Sequence, residues 1–290
     1  MSDSLPVIVF QQLREVFFSD DLTPKPFSLP EKGSAQDDPL DRYIALMLDE
    51  IQGIDVITSG ANTSPDVVVL DSSTKKDILL EGEEEFSSRI IGLEVKKLDR
   101  TPTGKVARLT GLDYNSTPPG PYFEVKDSKG NSVKIKSYTL FLCVEKRSDD
   151  YFTTAMVLST NTFINSDDKE YVFATGNRTK EIGLGTFQDG VNRNRPMYVF
   201  GNPLSVDGTD EHATLILDSD EVVETLLHFQ DLRRQDEAGR WVEFRSYQDS
   251  RDLPASHVVQ TINDPVKVPS KRTSSTNPRG KFELDFEVTD

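Results

Sequence analysis

The chain has one cysteine, Cys143, and only three histidines. A single thiol forms no internal disulfide and supplies no thiolate-rich zinc site. Cys143 falls in the apolar run YTLFLCVE, so a buried structural thiol is the expectation. His212, His228 and His257 are scattered, with no serine or cysteine nucleophile motif beside them, which argues against a triad hydrolase. The segment GLGTFQDG at 183–190 lacks the lysine of a phosphate-binding loop, so nucleotide hydrolysis is not supported. No apolar run approaches the roughly 20 residues that cross a bilayer. The acidic start MSDSLP also lacks the basic region of a secretory signal, and a cytoplasmic protein with no membrane contact is the expectation.

Basic charge is short as well: 33 Lys and Arg face 49 Asp and Glu, for a net charge of −16. Such an excess opposes binding to a polyanion, whose affinity comes from lysine and arginine. The distribution softens that exclusion. Residues 1–92 hold 7 basic against 18 acidic side chains, whereas residues 93–147 hold 11 basic against 6 acidic. Another five basic residues and no acid lie in 265–282. Because salt screens charge over about 8–10 Å, local balance counts for more than the total. Solvated faces are the plainer reading of the same distribution.

The 290 residues suffice for one large domain, and no stretch reads as a linker between two unlike halves. VIVFQQLREVFF (7–18) and DPLDRYIALMLDEI (38–51) carry apolar stripes at helical spacing. After Gly53 the texture turns to short β-branched runs at 66–70, 89–95, 138–146 and 151–158, which read as strands. RSDD at 147–150 predicts a hairpin between the last two, and Lys129-Gly130-Asn131 predicts another within 121–137. Helical texture returns at about 166–182 and at EVVETLLHFQDLRRQ, 221–235. The expected fold class is α/β, a central mixed β-sheet flanked by helices. Residues 266–281, rich in Pro, Ser, Thr and basic side chains, read as an exposed arm before a last short strand, KFELDFEV.

The most informative chemistry lies in SPDVVVL and GLEVKK. Asp66 opens one predicted strand, and Glu94 and Lys96 follow 28 and 30 residues later on another. Side chains two apart on a strand share a face, so Glu94 and Lys96 project together while Val95 points into the apolar layer. If the strands are neighbours, two acids and a lysine converge. Hard carboxylate oxygens suit Mg²⁺, which supports phosphodiester hydrolysis with the lysine on the attacking water. Zinc would want His or Cys, and these segments have neither.

At Pro65-Asp66 and Glu94-Val95-Lys96 the chain resembles the PD-(D/E)xK nuclease superfamily, in the style of type II restriction endonucleases. The resemblance covers about residues 40–160. It implies a restriction-endonuclease-like sheet, catalytic Asp66, Glu94 and Lys96, a Mg²⁺ cofactor, double-stranded DNA as substrate, and a homodimer acting on a palindrome. A further acid from the preceding helix often assists such a site, and Glu50 is the candidate ahead of Asp49. The acidic run Glu81 to Glu85 reads as a solvated loop.

Two segments carry the chemistry to contact a duplex. In 96–121, Lys97, Lys105 and Arg108 suit phosphates, and Asn115, Ser116 and Thr117 suit a groove. In 187–200, Asn192, Arg193, Asn194 and Arg195 alternate amide and guanidinium, the groups that pair with adenine and guanine edges. Ordinary surface turns remain the alternative for both. Competing functions are a repair or recombination nuclease of the same fold and a non-catalytic acidic binding protein.

Overall fold

The computed structural model describes residues 3–31, 38–58, 65–72, 89–100, 104, 113–115, 120–126, 132–164, 172–173, 198–200, 203–235 and 240–263. In chain order the elements begin with α1 (Leu5–Phe17), β1 (Pro26–Phe27), α2 (Pro39–Asp49), β2 (Ile54–Thr58), β3 (Val67–Asp71) and β4 (Ile90–Asp99). They continue with β5 (Asp113–Asn115), β6 (Tyr122–Lys126), β7 (Ser132–Arg147), β8 (Asp150–Thr160), α3 (Asn161–Ile164), β9 (Val172–Phe173) and β10 (Tyr198–Phe200). After a 3-10 turn at Pro203–Ser205 come β11 (Ala213–Asp218), β12 (Leu227–Gln235), β13 (Trp241–Gln248) and β14 (Gln260–Asn263).

Among the described residues eleven strands form one mixed sheet in the order β14-β12-β13-β11-β8-β7-β4-β3-β2, with β1 pairing β8 and β6 pairing β7 off that path. The pairs β4–β7, β8–β11 and β12–β14 are parallel, and the others in the sheet are antiparallel. Strands β5, β10 and β9 form a separate small sheet. This is the expected α/β class, with a mixed sheet and few helices.

Strand periodicity sorts the core into two layers. Leu140 and Leu142 of β7, Met156 and Leu158 of β8, and Leu215 and Leu217 of β11 join α1 and α2 in the larger apolar cluster. Their alternates Phe141, Cys143, Ala155, Val157 and Ile216 pack on the other face with Phe163 and Ile164 of α3. Cys143 is fully buried there, and burial pushes its thiol up. The α1 helix contributes Val9, Phe10, Leu13 and Phe17, all at 0% exposure, which is the apolar stripe its spacing requires. No helix among the described residues is long and apolar enough to cross a membrane.

The strands expected at 66–70, 89–95, 138–146 and 151–158 are β3, β4, β7 and β8, and both hairpins form. The helix expected over 221–235 does not. Residues 227–235 are β12, whose Gln230, Leu232 and Arg234 face inward and alternate with more exposed neighbours. Pairing on both flanks, with β13 and β14, outweighs a helical-looking spacing that local propensity alone favours. Arg234 donates to the carbonyls of Phe163 and Ile164 at the end of α3, which fixes the strand from beneath. Of the helix expected at 166–182, only Val172–Phe173 is described, and it is a strand. The arm at 266–281 and the strand expected after it lie outside the described residues.

Candidate active site

Strand β3 begins at Val67, opposite Leu93 of its antiparallel neighbour β4. Continuing that register sets Asp66 beside Glu94. Strand β4 runs on to Asp99, paired with β7 on its other side throughout. Among the described residues the edge of β4 beyond Leu93 is therefore left by β3, which opens a notch there. Asp66 fills its corner: its Oδ2 accepts the main-chain N–H of Val95 at 2.8 Å, the amide β3 would have paired had it begun earlier. Val95 itself points into the main core at 7% exposure.

Glu94 and Lys96 share the opposite face, as period two demands. The Lys96 Nζ donates to Glu94 Oε1 at 2.7 Å. Glu94 is buried, at 6% exposure, and the Lys96 side chain is 16% exposed. The three residues singled out by sequence thus meet at one place.

Gly92 shapes the approach. A Cβ there would run into the Phe123 ring, Pro65 Cγ at 3.0 Å and Ile135 Cδ1 at 3.2 Å. Glycine lets Pro65 and Phe123 close over β4, and so sets where Asp66 starts. Gly92→Ala is expected to destabilise the fold by about 1–3 kcal/mol through overpacking, read by urea unfolding. An unchanged midpoint would mean that Pro65 does not depend on this contact.

The acid of the preceding helix that stands near these residues is Asp41, and Glu50 is at the helix's other end. The α2 helix starts with Asp38 as N-cap, its carboxylate accepting the Leu40 N–H at 3.0 Å, then Pro39 and Asp41 in the first turn. This end of the helix lies against the notch, where Asp41 feels Asp66, Lys96 and Glu94. Glu50 is the exposed C-cap, and Asp49 the exposed last helical residue, at the far end. Asp41 and Glu50 are nine positions apart along the helix, a rise of about 13 Å. The acidic first turn was visible in the sequence; which end faces the sheet was not.

Carboxylate crowding dominates the electrostatics. Burial, then the charges of Asp66 and Asp38, push the Asp41 carboxyl up to about 8. Burial and then Glu94 push Asp66 up to about 7, against the opposing pull of Lys96 and the Val95 N–H. One lysine does not balance these acids. The donor set is all oxygen and its negative charge exceeds its cations, which fits a hard divalent cation. Among the described residues no group of three or more His, Cys, Asp or Glu is placed to hold a metal ion between them. A magnesium ion needs only one or two carboxylates, since it keeps several waters.

Of the residues expected to touch a duplex, Lys97 is exposed on the face of β4 opposite Lys96, its Nζ 5.4 Å from the Tyr151 ring centroid. Asn115 lies in β5, paired through the backbone with Tyr198. Lys105, Arg108, Ser116, Thr117, Asn192, Arg193, Asn194 and Arg195 lie outside the described residues.

No family model matches the sequence, and no curated protein matches it. Among solved structures, the tetrameric restriction endonuclease SfiI bound to cognate DNA overlaps at a TM-score of 0.32 and 9% identity. That overlap covers 82% of this chain and 87% of that one. It is slight, and the function below rests on the site.

Proposed function

We propose that the chain is a magnesium-dependent endonuclease of the restriction type, hydrolysing phosphodiester bonds of double-stranded DNA at a specific, palindromic site. The observation that carries this reading is the convergence of Asp66, Glu94 and Lys96 at the notch of β4, with the carboxylates outnumbering the lysine.

Asp66 and Glu94 would hold Mg²⁺, with Asp41 adding negative charge from the helix end. Bound there, the ion supplies charge neutralisation at the phosphate and a water of lowered pKa. The Val95 N–H fixes one oxygen of Asp66, so that carboxylate needs no reorganisation as charge develops. Lys96, held against Glu94, would turn an N–H toward the attacking water or a phosphate oxygen. The water oxygen bonds to phosphorus in line with the leaving sugar oxygen, whose bond breaks as it gains a proton. One end then carries the phosphate, and the other a hydroxyl.

Calcium takes the same oxygen ligands at longer, looser geometry, so it is expected to support duplex binding with little cleavage. Lys96→Ala is expected to keep calcium-supported binding in a gel shift and lose magnesium-supported cleavage. A Lys96→Ala protein that cuts at the wild-type rate would remove the lysine from the chemistry. A homodimer would place one site on each strand of a two-fold duplex, and sedimentation should give about twice the chain mass. A monomer making double-strand breaks in one encounter would contradict that.

A further inference from the structure

The sheet face that carries Glu94 and Lys96 is apolar along most of its length. Phe141 and Cys143 of β7, Val157 of β8 and Ile216 of β11 line it on one side, and Ile90 of β4 and Ile135 of β7 line it on the other. Between these two stretches the same face turns polar. Ser137 and Thr139 of β7 and Ser159 of β8 occupy positions where the alternation calls for apolar side chains, and all three are buried. Register sets their place. Glu94 pairs with Thr139 in the parallel ladder of β4 and β7, and Thr139 pairs with Ser159 in the antiparallel ladder of β7 and β8. Partners in a ladder share a face, on strands about 4.8 Å apart. One row across the sheet therefore runs Asp66, Glu94, Thr139, Ser159, with Glu94 between the other acid and a hydroxyl.

The hydroxyls of this region donate elsewhere. Ser137 donates to the Gly120 carbonyl, Ser159 to the Thr160 carbonyl at 2.9 Å, and Thr139 to Oδ1 of Asn161 at 2.7 Å. Asn161, at 1% exposure, begins α3 directly after β8. A hydroxyl has one proton and two acceptor sites, so Thr139 Oγ1, its proton engaged by Asn161, has only lone pairs left to offer. Packing does not demand this pair, since replacing both partners of a buried hydrogen bond by apolar groups of the same shape is nearly neutral. The pair sits beside a carboxylate, which is also an acceptor. What reconciles two neighbouring acceptors is a donor with two protons, and magnesium keeps several waters of that kind.

We infer that Thr139 is a positioning residue of the metal site: its Oγ1 accepts a hydrogen bond from a water on the divalent ion held by Asp66 and Glu94, and Asn161 keeps the hydroxyl an acceptor. The inference rests on the magnesium site proposed above. Groups that orient the ligands of an ion from outside tune its affinity. Magnesium demands strict geometry and gives up its waters reluctantly, whereas calcium accepts a larger and looser shell, so Thr139 favours magnesium.

The test uses the full chain as wild type, Thr139→Ser, Thr139→Val, and Thr139→Val combined with Asn161→Leu, which removes both ends of the bond together. Melting temperature is followed without DNA across a magnesium series and a calcium series, and the rise with ion concentration gives each apparent Kd. Plasmid cleavage is followed across the same magnesium series. Both valine proteins are expected to raise the magnesium Kd by about tenfold or more and the calcium Kd by less than about threefold, and to raise the magnesium requirement of cleavage in step. Thr139→Ser keeps the hydroxyl and is expected to stay within about threefold of wild type for both ions. An unchanged magnesium Kd in the valine proteins, an equal loss for both ions, or a serine variant as weak as valine would each overturn the inference while wild-type cleavage stands. Failure of both valine proteins to fold would make the pair part of the fold alone and overturn it too. A wild type whose melting temperature ignores magnesium and that leaves plasmid uncut would instead overturn the magnesium reading, and the inference with it.

Discussion

Replacing Asp66 with Asn, or Glu94 with Gln, is expected to lower magnesium-dependent cleavage of duplex DNA by about three decades or more. Each substitution keeps the side chain's size and removes the charge that would hold the ion. Metal stabilisation of a phosphoryl transition state is worth several kcal/mol, and each 1.36 kcal/mol is a factor of ten in rate. Asn at 66 can still accept the Val95 N–H, so the corner of the notch is retained. Cleavage is followed on supercoiled plasmid under single-turnover conditions. A variant within about tenfold of wild type would exclude that carboxylate from the metal site.

The same crowding predicts that a variant lacking one of these charges is more stable than the wild type when metal is absent. Asp41 and Asp66 are raised from an ordinary carboxylate value of 3.8 to about 8 and about 7. The folded protein therefore holds their protons more tightly than the unfolded chain does. Stability falls as pH rises from about 4 through 8, because ionising these groups is costlier in the fold. In EDTA, Asp41→Asn removes that cost. At pH 8 it is expected to gain about 2 kcal/mol or more, a Tm rise of about 4–8 °C, and near pH 4 the difference should vanish. Saturating magnesium should reverse the order. At a hundredfold its Kd the ion stabilises the wild type by about 2.7 kcal/mol, and a variant that binds it poorly gains little. A Tm difference between wild type and Asp41→Asn that is flat from pH 4 to pH 8 would mean that Asp41 is not pressed by its neighbours.

Stability and activity would then oppose each other at one cluster, as expected where a site is built for a ligand it does not always hold. Such a pattern also separates lost catalysis from lost folding. A misfolded Asp66→Asn would show a lower Tm, whereas removal of a metal ligand leaves the fold intact or firmer.

What the sequence disclosed about this site followed from local rules. Asp66 at a strand start and Glu94 and Lys96 at period two are readable from a few residues, and neighbouring strands then bring them together. The apolar stripes of α1 and α2, and the β-branched runs of β3, β4, β7 and β8, carried their own periodicity. The features that eluded it are tertiary. Asp38-Pro39 marks a helix start from sequence alone, yet only packing decides that this end meets the notch while Glu50 lies at the other end of α2. Strand β12 carries apolar spacing that also fits a helix, and its pairing partners decide otherwise. Arg100 reaches a carbonyl 110 residues away, a contact for which no spacing rule exists.

The most direct test of the central claim is to incubate the protein with phage DNA in magnesium, beside the Asp66→Asn variant prepared identically, and to sequence the fragment ends. Ends recurring at one short two-fold sequence are expected with wild type, and none above background with Asp66→Asn or in EDTA. Ends that appear equally with Asp66→Asn, or no magnesium-dependent ends with wild type, would contradict that claim.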